Sequence, residues 1–180
     1  MRSPHIYLIA GEPSGDRLGA RLIQALRRKS GGTKCKISGI GGREMEKVGL
    51  NSQFPMSDLT VMGFAEVVPR IPNLYKRIKE TVIHILDIKP DVVVTIDAPD
   101  FTFRVIRRLR GNNIPIVHYV APSVWAWKPG RAKKIAGLVD HLLTLLPFEP
   151  PYFEREGLKS TFVGHSVIES GADQGNGRAF

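Results

Sequence analysis

The chain has 180 residues, 42% of them apolar and 24% charged, which is enough for one compact domain with a hydrophobic core and excludes fully disordered and collagen-like classes. A formal net charge of +9 predicts attraction to something anionic, be it nucleic acid, a phosphorylated substrate or a membrane surface, and does not by itself choose among them. Cys35 is the only cysteine, so an intrachain disulfide and a Cys-rich zinc site are excluded and a reducing compartment, the cytoplasm, is the simplest context.

The first apolar run, Ile6 to Ala10, is β-rich and passes straight into Gly11. It is too short for a signal peptide or a spanning helix, and no other apolar stretch reaches the roughly 18 residues that a span requires. Leu18, Leu22, Ile23 and Leu26 follow at helical spacing, giving strand, turn, helix. Residues 36–40 read as a second strand, and residues 43–48 as a short helix stopped by Gly49. A longer helix is expected over residues 74–88, with Leu74, Ile78, Val82, Ile85 and Leu86 on one face and Pro90 beyond its end.

Residues 91–97 (DVVVTID) form the clearest strand, because a continuous β-branched run suits a parallel strand covered on both faces. Helix 103–109, strand 114–120, helix 132–139, strand 141–146 and strand 161–164 complete the pattern. This alternation predicts an α/β fold with a Rossmann-like parallel sheet and helices on both faces, a class that binds ligands at the carboxyl ends of its strands. The domain is expected over residues 1–169, and the polar, Gly-rich stretch 170–180 is expected to be a disordered tail.

Four loops carry candidate chemistry. Gly11-Glu12-Pro13-Ser14-Gly15-Asp16 lies between the first strand and helix, where backbone N–H groups favour an anionic or polyhydroxyl ligand and where Ser14 and Asp16 serve equally well as helix caps. It is neither GxGxxG nor a P-loop. Gly39-Ile40-Gly41-Gly42 reads better as tight turn geometry than as half of a dinucleotide fingerprint. Asp97 and Asp100 follow the clearest strand, where a carboxylate can serve as general base toward a hydroxyl, or where Asp100 can cap a helix and Asp97 fix a turn.

Residues 118–131 (HYVAPSVWAWKPGR) place Trp125 and Trp127 beside cations, suited to sugars, bases or phosphates, or to covering the sheet edge. His118 reads as a packed strand residue rather than a metal ligand. Residues 61–77 are apolar, broken by prolines and bordered by Arg70, Lys76, Arg77 and Lys79. Such a surface either packs in the core or docks on an anionic bilayer. Arg104, Arg107, Arg108 and Arg110 read as a solvated helix face that adds to membrane attraction. Nucleic acid binding has only the net charge in its favour, since the basic residues are dispersed and no recognition module is present.

Taken together, AGEPSGD, VMGFAEV, KPDVVVTIDAPDF, HYVAPSVWAWKPGR, LPFEPPYFE and FVGH, in this order between Ile6 and Glu169, resemble the lipid-A-disaccharide synthase family. The resemblance implies the N-terminal domain of a two-domain GT-B glycosyltransferase. It implies transfer of 2,3-diacylglucosamine from its UDP conjugate to 2,3-diacylglucosamine 1-phosphate, without a metal or other cofactor. Asp97 then matches the general base on the acceptor 6-hydroxyl. Glu12, Ser14, Asp16, Asp100, Ser123, Trp125 and Trp127 become candidate substrate contacts. Ala65, Val67, Val68, Ile71, Leu74 and Tyr75 align with an apolar patch that meets the membrane and the acyl chains.

The implied setting is the cytoplasmic side of the inner membrane, held peripherally on its anionic surface. The family pattern continues into a second, UDP-binding domain that is not found in this sequence, and His165-Ser166 stands where His-Pro is common. Turnover by this chain alone is therefore not expected. A complementing C-terminal half or a second copy of the chain would be its protein partner, and a noncatalytic lipid-binding module is the rival reading.

Overall fold

The computed structural model describes residues 3–29, 35–59, 64–124 and 130–165, with the backbone alone for residues 64–71. The elements run β1 (His5–Ala10), α1 (Pro13–Lys29), β2 (Lys36–Ile40), α2 (Arg43–Lys47), α3 (Phe64–Ile88), β3 (Val92–Ile96), α4 (Pro99–Leu109), β4 (Ile116–Tyr119), α5 (Gly130–Ala136), β5 (His141–Thr144), α6 (Pro150–Glu154) and β6 (Lys159–Phe162). The expected tail, residues 170–180, lies outside the described residues.

The strands form one parallel sheet in the order β2-β1-β3-β4-β5-β6. The expected α/β class with a parallel sheet is therefore what the chain adopts. β1 is buried along its whole length and divides its side chains between two cores. Tyr7 and Ile9 join Ile78 and Ile85 of α3, Phe101, Val105, Ile106 and Leu109 of α4, and residues of α5 and α6. Ile6, Leu8 and Ala10 face the other way, onto Ala20 and Ile23 of α1 and Met45 of α2. Burying each of the large side chains contributes about 1.5–3 kcal/mol, which makes β1 the layer that holds both helix sheets in place.

Two glycines permit this packing. Gly39 has φ +142°, and a Cβ there would lie 1.8 Å from the Leu8 carbonyl oxygen, so no side chain fits beside β1. Gly15 lets α1 approach the Ile96 carbonyl, where a Cβ would sit at 3.1 Å. Asp16, one residue on, is buried at 4% exposure, and its carboxylate accepts hydrogen bonds from the N–H groups of Gly42 (2.8 Å), Glu44 (2.9 Å) and Met45 (3.1 Å). These are donors of the first turn of α2, which no intrahelical carbonyl can satisfy. Asp16 caps α2 from a different helix.

Several boundaries differ from the sequence expectation. α3 begins at Phe64 rather than residue 74 and runs through Pro69 and Pro72, whose fixed φ is compatible with a helix although each removes a backbone donor and crowds the preceding turn. α4 begins at Pro99, where a missing N–H is harmless at the first helical position. α5 starts two residues early, β6 lies two residues early, and the short α6 at Pro150–Glu154 carries no apolar period to announce it.

His118 on β4 is fully buried as expected of a packed strand residue, its ring centroid 4.8 Å from that of Phe103 at a 48° tilt, and it shares a 2.7 Å hydrogen bond with Thr95 Oγ1. Its Nε2 is buried with no partner among the described residues. Burial lowers its pKa from 6.5 to about 4, so the folded chain holds the imidazole neutral.

Two outcomes follow from this packing. Asp16→Ala is expected to lower the unfolding free energy by about 2–4 kcal/mol in urea denaturation, because three backbone donors, that of Met45 buried, lose a charged acceptor, with Asp16→Asn falling between. The unfolded chain takes up the His118 proton below pH 6.5 and the folded chain only below about 4, so the stability contribution is complete above 6.5 and is lost as pH falls across that window. That component amounts to roughly 3 kcal/mol and is expected to be missing from the pH profile of His118→Gln.

Candidate functional site

The strand order reverses between β1 and β3: β1 leads to α1 on one face of the sheet and β3 to α4 on the other. The two loops part there and leave a crevice at the carboxyl edge, the standard ligand position in an open α/β sheet. Ala10 and Ile96 are paired partners at this edge, so the residues that follow them start side by side. A Cβ on Gly11 would come within 2.8 Å of the Ala98 Cβ, so the floor of the crevice admits only glycine at that position.

Asp97 is the first residue after β3, half-buried, and its backbone is left-handed at φ +52°. Ala98 follows at φ +46°, ψ +55°. Two consecutive non-glycine residues in this region store strain of order 1–3 kcal/mol each. The surroundings hold them there. The Asp97 N–H donates to the Tyr119 carbonyl at the end of β4 (3.0 Å), and the Thr102 hydroxyl donates to the carbonyls of Asp97 (3.1 Å) and Ala98 (3.0 Å). With its backbone fixed on both sides, the Asp97 carboxylate is left to face the crevice between the first turns of α1 and α4.

Ser14, half-buried in the first turn of α1, lies with its Oγ 3.4 Å from Asp97 Oδ2. Glu12 is exposed in the bend before α1. Its pKa is raised, first by partial burial and then by the negative charges of Asp97 and Asp100. Asp100 is exposed in the first turn of α4. It does not cap that helix, whose N-cap is Ala98 without a side-chain bond. Glu12, Ser14, Asp97 and Asp100 therefore meet at the crevice. An acidic group able to accept a proton, a hydroxyl beside it and a second carboxyl that binds protons more readily form a set suited to acid–base chemistry on a polar ligand.

The other candidates divide. Asp16 is drawn away from the crevice, because its carboxylate is used up on the N–H groups of α2. Ser123 is exposed in the loop after β4. Trp125 and Trp127 lie outside the described residues. Ala65, Val67, Val68 and Ile71 fall on the α3 backbone, with side chains outside the described residues. Leu74 packs against the core, whereas Tyr75 is 48% exposed.

Arg77 is not a free border cation. It pairs with Asp58 and with Glu80 (2.7 Å) and lies 4.6 Å over the Phe54 ring, so it ties α3 to the turn at Met56–Asp58. Sequence reasoning missed Thr102, the Tyr119 carbonyl and the left-handed Asp97-Ala98 pair, since backbone conformation leaves no mark at an alanine. No helix among the described residues is long and apolar enough to cross a membrane.

The comparisons with known proteins agree on this frame. The family model described as lipid-A-disaccharide synthetase matches residues 6–179. The lipid-A-disaccharide synthase of Rhodospirillum centenum is 59% identical over 177 residues, covering 97% of this chain and 44% of that protein. That of Paramagnetospirillum magneticum is 52% identical over 177 residues, covering 97% and 45%. The chain thus spans somewhat less than half the length of these curated relatives.

Among solved structures, Staphylococcus aureus MnaA with UDP superposes with a TM-score of 0.63 at 13% identity, over 99% of this chain and 48% of that one. The Methanocaldococcus jannaschii UDP-GlcNAc 2-epimerase in complex with UDP-GlcNAc and UDP gives 0.62 at 17%, over 99% and 52%. At such identities these two show a shared fold. Ordered motifs, topology and more than half identity with the first relative lead to one conclusion: the chain belongs to the lipid-A-disaccharide synthase family.

Proposed function

We propose that the chain forms the acceptor-facing half of a glycosyltransferase that moves 2,3-diacylglucosamine from its UDP conjugate to 2,3-diacylglucosamine 1-phosphate. The observation that carries this reading is the Asp97 carboxylate, held by a strained and doubly anchored backbone at the β1/β3 crevice of a chain in this family. Asp97 removes the proton from the acceptor 6-hydroxyl as that oxygen bonds to the donor's anomeric carbon. The bond from the anomeric carbon to the UDP oxygen breaks with its electron pair, UDP departs, and inversion leaves a β-1,6 disaccharide 1-phosphate. Ser14 orients the base through its hydroxyl. Glu12 and Asp100 keep the crevice acidic and are placed to accept hydrogen bonds from acceptor hydroxyls.

The donor's UDP is assigned to the part of the family's length that this chain does not match. Ala65, Val67, Val68 and Ile71 on α3, with the exposed Tyr75 and with Lys76 and Lys79 exposed beside it, support a peripheral seat on the anionic cytoplasmic face of the inner membrane.

Transfer of labelled diacylglucosamine, assayed with the chain alone and with the remaining portion of a relative added, tests the reading. Product is expected only in the second case, and Asp97→Asn is expected to lower kcat by about 10²–10⁴ with little change in acceptor affinity. Vesicle binding without product in either case would replace the enzyme reading with a noncatalytic lipid-binding one.

A further inference from the structure

Between α4 and α5 lies a groove of about 680 Å³, whose lining includes Asp100 but not Asp97. Its upper end is formed by Pro99 and Asp100, at the carboxyl edge of β3. Its floor is apolar, from Phe103, Ile135 and Leu138. Four cations line it, Arg104 and Arg107 from α4 and Arg131 and Lys134 from α5, against the single carboxylate of Asp100.

None of the four forms an ion pair among the described residues. A polyanion placed among them gains charge attraction and hydrogen bonds from several donors at once. A guanidinium group can hold two phosphate oxygens at once, and three of them line this groove. Arg104 also reaches out of the groove to α3, with its guanidinium 5.9 Å from the Tyr75 ring centroid and Nη1 3.4 Å from the Tyr75 hydroxyl. The groove is thus continuous with the exposed end of the apolar helix.

We infer that this groove seats the phosphate monoester of an acylated amino sugar, a step that rests on the acceptor reading given above. In a pyranose the 1-phosphate is borne by C1 and the 6-hydroxymethyl group by C5, the two carbons that flank the ring oxygen. An acceptor with the hydroxyl at Asp97 therefore keeps its phosphate on the same edge of the ring, and the cationic groove that begins at Pro99 and Asp100 is the surface that receives it. The apolar floor lies under the sugar ring, and Tyr75 leads the acyl chains toward α3. Arg107 and Lys134 on this account are binding residues and take no part in the proton transfer.

The test measures binding directly, so it does not depend on turnover. The full chain and the double variant Arg107→Gln/Lys134→Gln are titrated with 2,3-diacylglucosamine 1-phosphate, with the same lipid lacking its phosphate, and with phosphatidylglycerol vesicles. Thermal unfolding checks that the variant is folded, and Arg131→Gln serves as a second variant if it is not. The expected result is at least about a tenfold loss of affinity for the phosphorylated sugar lipid, with the dephosphorylated lipid unaffected. Equal losses for both lipids, or none, overturn the assignment. A loss confined to the vesicles also overturns it, by assigning the cations to phospholipid headgroups. A parent chain that binds neither sugar lipid overturns the acceptor reading itself, whereas binding by parent and variant alike removes only the groove.

Discussion

Parallel pairing of β1 with β3 is the constraint on which the rest of the molecule depends. Because these strands are neighbours in space while their crossovers leave to opposite faces, the loops after Ala10 and Ile96 must separate, and every candidate reacting group sits where they do. The pairing is enforced from within, since β1 alternates its side chains between two cores and a one-residue slip would exchange them. The crevice is thus fixed by burial far more than by contacts within the crevice itself.

Strain at Asp97 and Ala98 has to be understood against that rigidity. Two left-handed residues in succession would relax in an isolated loop, but here the N–H of one and the carbonyls of both are held by β4 and α4. The result is a carboxylate whose direction is set before any ligand arrives, so little ordering entropy remains to be lost when one binds. Glu12, by contrast, sits in an exposed bend, and its charge responds to the two aspartates rather than to a fixed hydrogen bond.

Much of this was legible in the sequence, and the exceptions have physical reasons. The β-branched run ending in Asp97 and the AGEPSGD turn announced both the crevice and its main residues, because burial on both faces and the need for glycine leave marks in composition. The start of α3 was not legible, since Pro69 and Pro72 read as breakers and only the surrounding structure shows that the helix continues through them. Asp16 looked like a ligand residue because it shares a loop with Glu12 and Ser14, and nothing local reveals that its partner is a helix 26 residues away. The basic residues of α4 read as a solvated face, and Arg107, Arg108 and Arg110 are exposed; what could not be read is that Arg131 and Lys134 stand opposite, because they belong to another helix.

The two faces of the sheet are not equally covered, and this sets a gradient of motion. On the side of α1, Tyr119, Leu143 and Val163 border a cleft of about 530 Å³, and Val163 is 47% exposed, while β6 is largely exposed along its length. Local opening is cheapest where little apolar surface is buried. Amide hydrogens of β1 and β3 should therefore exchange only through global unfolding, while those toward β6 exchange through small excursions. The strands that aim the crevice residues form the slow half of the molecule, and the far edge of the sheet can breathe without disturbing them.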